Sequence, residues 1–300
     1  MNAEDREIIV RPDALAVLGR NASDSHRNAP GDETERAPAH RSAPYQAVQL
    51  AKDANGERGA GRLGLISDKE LKHLVTAQFE YPPLRQGTGG YSVELAAAFN
   101  PYSAKGRSLR YLAARILLEA YTKDGLCFSV AGAHPGCGAT YIAANLGVVF
   151  SELGLRTLII DANLKRPRLH TVFNWPQDGG LATMIAGNAS PSSYVAPLGQ
   201  FRDLSFLPAG RRAVRMSSRL GNGVLANTLV ALRQAYDVII CDSPSASSNA
   251  YDGCEVVAGM CGNTVSVFRK NRTGVSRARS LLASLDAVGT RQIGSVLCEH

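Results

Sequence analysis

The sequence predicts an α/β domain built on a mostly parallel sheet covered by helices on both faces. Three observations carry that expectation. Short, near-continuous apolar runs recur from residue 126 onward, helical patterns separate them, and a glycine-rich turn joins the first run to a helix. Strands that are apolar throughout must be buried on both faces, and this requires a helical layer above and below the sheet.

With 300 residues, 45% of them hydrophobic and 20% charged, the chain can bury one such core and still carry an extension. Residues 21–61 are rich in Ala, Pro, Gly and charged residues and nearly lack large apolar side chains, so they cannot offset their ordering entropy and read as a disordered linker. The preceding stretch REIIVRPDALAVLG carries a remnant strand or helix pattern. The expected division is a mostly disordered N-terminal extension over 1–62, a small helical module over 63–99 and the α/β domain over 100–300.

In order along the chain, Ser67 is a plausible N-cap for an amphipathic helix in which Leu71, Leu74, Val75 and Phe79 recur at helical spacing. The turn-rich YPPLRQGTGG follows, and a second helix is expected from about Ser108 to Tyr121, with Leu109, Leu112, Ile116 and Leu117 on one stripe. LCFSVAGA (126–133) is the first buried strand, and the helix after its turn ends near Gly154. Further strands are expected over 156–162, 205–210, 237–242, 264–270 and 294–299, with helices around 181–185, 225–236 and 275–285. No internal repeat occurs at solenoid periods.

Composition narrows the function classes. No stretch approaches the run of about 18 apolar residues that spans a bilayer, and MNAEDREIIV carries acids where a secretory signal carries a basic and then an apolar region, so a cytoplasmic chain is expected. The six cysteines, Cys127, Cys137, Cys241, Cys254, Cys261 and Cys298, lack any C-x-x-C spacing and read as small buried hydrophobes, with neither a disulfide framework nor a structural metal. A net charge of +7 permits an acidic partner without choosing one. The basic loop with Arg212, Arg215 and Arg219 has no interleaved aromatics, which disfavours nucleic acid.

The chemistry is concentrated in three loops. AGAHPGCGAT (131–140) follows the phosphate-cradling pattern G-x-x-x-x-G-K-[ST], with Gly138 and Thr140 in place but Ala139 where the lysine belongs. The next strand ends in Asp161-Ala162-Asn163-Leu164-Lys165-Arg166-Pro167-Arg168, and DVIICD ends in Asp242-Ser243-Pro244, the form of an acid that orders Mg²⁺. Ligands of parallel sheets lie outside the carboxyl ends of the strands, so the three loops should share one crevice. Cys137 is expected to be a tolerated small side chain, and His134 a solvated loop residue; the run from Lys165 to Arg168 reads equally as a solvated loop or an anion-binding one.

These motifs carry a resemblance. From about Asn100 to Glu299, through GATYIAANLGVVFSELGLRTLIIDANLKRPRLH, LPAG and YDVIICDSPS, the chain resembles the bacterial tyrosine kinases (BY-kinases), ParA/MinD-like P-loop proteins that accompany exopolysaccharide chain-length determinants. It is most similar to the stand-alone EpsG-type kinases. The resemblance implies a P-loop NTPase fold and nucleotide contacts from Pro135, Gly136, Cys137, Gly138, Ala139, Thr140 and Tyr141. It also implies Mg²⁺ held by Thr140, Asp161 and Asp242, with Asp161 and Asp242 serving catalysis.

The departures are specific. The P-loop lysine is Ala139; the D-x-D-x-R signature keeps Asp161 but has Asn163 and Lys165; the E-x-x-R-x-x-R oligomerisation helix reads Arg107, Arg110, Ala113; and no tyrosine follows Tyr251. Losing one preorganised donor to a developing anion costs about 10²–10³ in rate, roughly 3–4 kcal/mol. The expectation is a degenerate BY-kinase-like subunit of exopolysaccharide or capsule chain-length control, peripheral to the inner membrane, with weakened ATP and Mg²⁺ use and little kinase activity. Its partners would be a membrane chain-length determinant (polysaccharide co-polymerase) and either copies of itself or an intact paralogue. The alternatives are an active ATP-dependent tyrosine autokinase and a ParA-like protein positioned on DNA or membrane.

Overall fold

The computed structural model describes residues 9–10, 82–122, 124–187, 190–211, 220, 223–246 and 253–299. In chain order the elements are β1 (Ile9–Val10), α1 (Ala96–Phe99), α2 (Ala104–Ala120), β2 (Leu126–Gly132), α3 (Ala139–Glu152), β3 (Thr157–Asp161), α4 (Leu169–Val172), α5 (Leu181–Gly187) and β4 (Ala196–Pro197). They continue with β5 (Leu204–Leu207), α6 (Val224–Leu232), β6 (Val238–Asp242), α7 (Cys254–Cys261), β7 (Asn263–Arg269), α8 (Val275–Ala287) and β8 (Arg291–Cys298). Among the described residues the strands form one sheet in the order β1-β8-β7-β2-β6-β3-β5-β4. From β8 to β5 every pairing is parallel, and only the two short edge strands run antiparallel.

The expected doubly covered sheet is therefore the observed one. Side chains of a strand alternate between faces, and β2 shows the sorting. Leu126, Phe128 and Val130 join the core shared with α1, α2 and α3, whereas Cys127 and Ala131 enter the cores beneath α5 to α8. The strands of the sheet centre are buried along their whole length, which is why they read as unbroken apolar runs.

Helix α2 starts earlier than the apolar stripe suggests. The Ser103 hydroxyl accepts from the Gly106 N–H at 3.1 Å and caps it, while Leu109, Leu112, Ile116 and Leu117 are all buried as expected. Helix α7 was not legible: CEVVAGMC is short and apolar on every side, a pattern that fits strand or helix equally. Strand β8 begins at Arg291, ahead of the expected Gly294, and the strand expected over 205–210 is Leu204–Leu207.

The module expected over 63–99 does not stand apart in its described part. Leu95 to Phe99 are buried in the main core, and the Leu84 N–H donates to the Ala98 carbonyl at 2.9 Å. Ile9 and Val10, in the extension expected to be mostly disordered, pair with Leu297 and Val296 of β8. The helix expected over 67–79, the linker over 21–61 and Arg212, Arg215 and Arg219 lie outside the described residues. All six cysteines are free and buried.

Gly147 lets α3 lie directly on β3. A Cβ there would sit 2.1 Å from Ile159 Cδ1 and 2.6 Å from its Cγ1. Gly147→Val should therefore destabilise the fold by about 1–3 kcal/mol, seen as a lower urea midpoint. Adding Ile159→Ala should recover part of that loss, because the two changes share one space.

Candidate functional site

The three chemical loops leave adjacent strands. β6 lies between β2 and β3, and the register pairs Asp242 with Val130 on one side and with Asp161 on the other, so the tips of β3 and β6 end level while β2 runs on to Gly132. The glycine-rich loop passes from β2 into α3 through Gly136 (φ 78°) and Gly138 (φ 106°). Gly138 is the N-cap of α3 in the left-handed region, where a side chain would be strained. The loop amides and the positive end of a 14-residue helix thus converge in front of the sheet, an arrangement that favours anions.

Asp161 and Asp242 are both at 0% exposure. Asp161 is held by main chain alone: its Oδ1 accepts from Asn163 N–H at 3.2 Å, and its Oδ2 from Arg168 and Leu169 N–H at 3.1 Å each. Burial nevertheless outweighs these bonds and pushes its carboxyl up to about 7. Asp242 accepts the Thr140 hydroxyl on Oδ2 at 2.8 Å, and its Oδ1 is buried with no partner. Burial first, and the neighbouring Asp161 charge second, raise the Asp242 carboxyl well above the usual range, while the Thr140 hydroxyl and the Arg168 charge pull it back.

The donor set fits Mg²⁺. A hard cation takes carboxylate and hydroxyl oxygens, and the orphaned Asp242 Oδ1 beside Thr140 Oγ1 supplies a buried oxygen that needs one. Asp161 has both oxygens engaged, so Asp242 and Thr140 are the residues that could hold the ion directly, with Asp161 behind them.

The remaining loop residues divide. Ala139 is 9% exposed, belongs to the main core and brings no charge. Cys137 is buried, its thiol raised by burial, as suits an inert packing residue. Tyr141 turns into the core instead of toward the loop: it packs against the main cluster, and its hydroxyl is buried without a partner. Pro135 and Gly136 are exposed at the loop's crest. His134 is more than a solvated side chain, since Nδ1 donates to the Pro135 carbonyl at 3.0 Å and Nε2 accepts from the Thr273 hydroxyl at 2.9 Å. Arg269 Nη1 donates to the Gly136 carbonyl at 2.8 Å, so the end of β7 grips the loop from outside.

Two contributors were missed in the sequence. Asn145, at 0% exposure, accepts from Ala97 N–H at 2.9 Å and donates to the carbonyls of Glu94 at 3.0 Å and Tyr141 at 2.9 Å, joining residues 94–97 to the first turns of α3. A lone amide on an otherwise apolar helix was its signal. Glu94, whose Oε1 accepts from Arg168 Nη2 at 2.5 Å, carried no local signal.

A family model described as cellulose biosynthesis protein BcsQ matches residues 126–272. The chain is 24% identical over 200 residues to the putative tyrosine-protein kinase CapB of Staphylococcus aureus, covering 66% of this chain and 85% of that one. It is 27% identical over 176 residues to the succinoglycan biosynthesis transport protein ExoP of Rhizobium meliloti, covering 56% of this chain but 22% of that longer protein. The kinase domain of Escherichia coli tyrosine kinase ETK superposes with a TM-score of 0.64 at 20% identity, over 72% of this chain and 87% of that domain. The fold is thus that of P-loop NTPases of the BY-kinase type, and the chain's homologues are BcsQ/ParA-like P-loop proteins, several of them named tyrosine-protein kinases.

The buried pair makes stability depend on pH. Asp161 keeps its proton in the folded state up to about 7, well above the unfolded carboxyl near 3.9. The folded state therefore binds more protons between those values, and stability falls as pH rises from about 4 through 7. Denaturant midpoints measured without divalent cations should decline across that window, Asp161→Asn should flatten the decline, and millimolar Mg²⁺ should oppose it.

Proposed function

We propose that this chain is a degenerate BY-kinase-like subunit of exopolysaccharide or capsule chain-length control, which binds nucleotide weakly or not at all and transfers little phosphate. The single observation that carries the reading is Ala139: the position that should deliver a cation to the β- and γ-phosphates is a methyl group folded into the core. Asn163 in place of a second acid removes charge from the metal side of the same pocket.

What remains favours holding over transferring. The loop amides and the start of α3 attract phosphate, and Thr140 and Asp242 would hold Mg²⁺, which when bound neutralises charge on the phosphate chain. Without the lysine, the charge that develops during phosphoryl transfer loses its preorganised donor, a loss of about 10²–10³ in rate. Relatives named for cellulose and succinoglycan biosynthesis support the polysaccharide assignment. No described helix is long and apolar enough to cross a membrane, which fits a subunit that reaches the inner membrane by docking on a chain-length determinant and assembling with its own copies or an intact paralogue.

Purified protein incubated with labelled ATP and Mg²⁺ should accumulate no phosphotyrosine; robust labelling would establish the active autokinase instead. In a titration with a fluorescent ATP analogue, Ala139→Lys should tighten binding by about tenfold, the worth of one charge-assisted contact. An unchanged affinity would mean that the cradle no longer accepts a triphosphate.

A further inference from the structure

The ion pair between Glu94 and Arg168 joins two parts of the molecule that the phosphate chemistry treats separately. Arg168, the N-cap of α4, sits beside the carboxylate pair, with its backbone N–H on Asp161 Oδ2 at 3.1 Å and its charge acting on Asp242. Its guanidinium, however, is turned to Glu94 Oε1 at 2.5 Å. Glu94 is in turn fixed to the first turns of α3, because Asn145 bonds both its carbonyl and the Tyr141 carbonyl.

The pairing is an imperfect one. Glu94 Oε2 is buried without a partner, as is the nearby Tyr141 hydroxyl. The two side chains are 52% and 37% exposed, so solvent screens their attraction. A phosphate group offers the same fork-shaped guanidinium several charged oxygens at once, and is the better partner wherever it can be reached.

Resting on the reading that the glycine-rich loop still accepts a nucleotide, we propose that Arg168 grips the terminal phosphate of a bound nucleoside triphosphate, and that Glu94 is the internal competitor which holds it otherwise. Thr140 and Asp242 would hold a metal that neutralises charge on the phosphate chain. The Arg168 backbone is anchored on Asp161, the in-register neighbour of Asp242, so its side chain starts beside the carboxylate pair and, released from Glu94, would reach the end of the phosphate chain beyond the part that the loop amides cradle. Exchange of partners leaves Glu94 uncompensated on a segment stitched down through Asn145, so triphosphate binding loosens residues 92–97 and reports the nucleotide state at that surface.

The test is a titration of the full chain with fluorescent ATP and ADP analogues in Mg²⁺, on the wild type, Glu94→Gln, Arg168→Ala and the double variant. Removing the competitor should tighten ATP by about two- to fivefold and leave ADP within about twofold. Arg168→Ala should weaken ATP about tenfold, and the gain from Glu94→Gln should vanish in its background. Equal ATP affinity for Glu94→Gln and wild type, or a gain that persists without Arg168, overturns the proposal. If ATP binds and Glu94→Gln is neutral, the latch alone falls; if no protein binds either nucleotide at millimolar concentration, latch and nucleotide site fall together. Amide exchange on the wild type needs no variant: residues 92–97 should exchange faster with ATP than with ADP, and identical exchange would equally overturn the coupling.

Discussion

Everything at the front of the sheet depends on two carboxylates that have been taken out of water side by side. Asp161 and Asp242 occupy level positions on neighbouring strands at 0% exposure, where an uncompensated charge is costly. The structure meets that cost in two different ways. Asp161 is wrapped by three backbone N–H groups, which shapes the loop from Asn163 to Leu169 and fixes where Arg168 begins. Asp242 receives a single hydroxyl and keeps one oxygen unpaired, so it is the member of the pair that calls for a cation. One acid has both oxygens engaged and the other keeps one free, although in sequence both are strand-terminal aspartates.

The scaffold and the chemistry separate cleanly because they use different atoms. The anion cradle is made by backbone amides and by the glycines that allow the turn, and none of these depends on the side chain at position 139. Ala139 packs in the core, so replacing the lysine leaves the loop's shape supported. The loop is braced from the other side by the Arg269 bond to the Gly136 carbonyl and by His134 on Thr273, a clasp that belongs to the end of β7 and the start of α8.

The residues ahead of α2 are part of the same body. Asn145 is the joint: with no water to satisfy its amide, its bonds to residues 94–97 and to Tyr141 are obligatory. On the opposite end of α3, burial pushes Glu152 up to about 8 against the opposing charge of Arg110. Arg110, the surviving residue of the oligomerisation pattern, is itself 6% exposed, donates to the Pro101 carbonyl and lies over the Tyr102 ring at 5.4 Å. In this chain that arginine supports its own helix start.

The sequence by itself determined the architecture and the three loops that meet at the candidate site. Apolar runs without alternation required a sheet covered on both faces, and glycines between a strand and a helix required a tight turn into a helix N-terminus, because these patterns are local and each has few physical solutions. Only the tertiary structure decided which groups meet. The level tips of β3 and β6, the orphaned Asp242 Oδ1, and the bridging of Glu94 to Arg168 across 74 positions follow from register and burial, which no local pattern encodes. Helix α7 was hidden for the related reason that an element apolar on all sides has no periodicity to read.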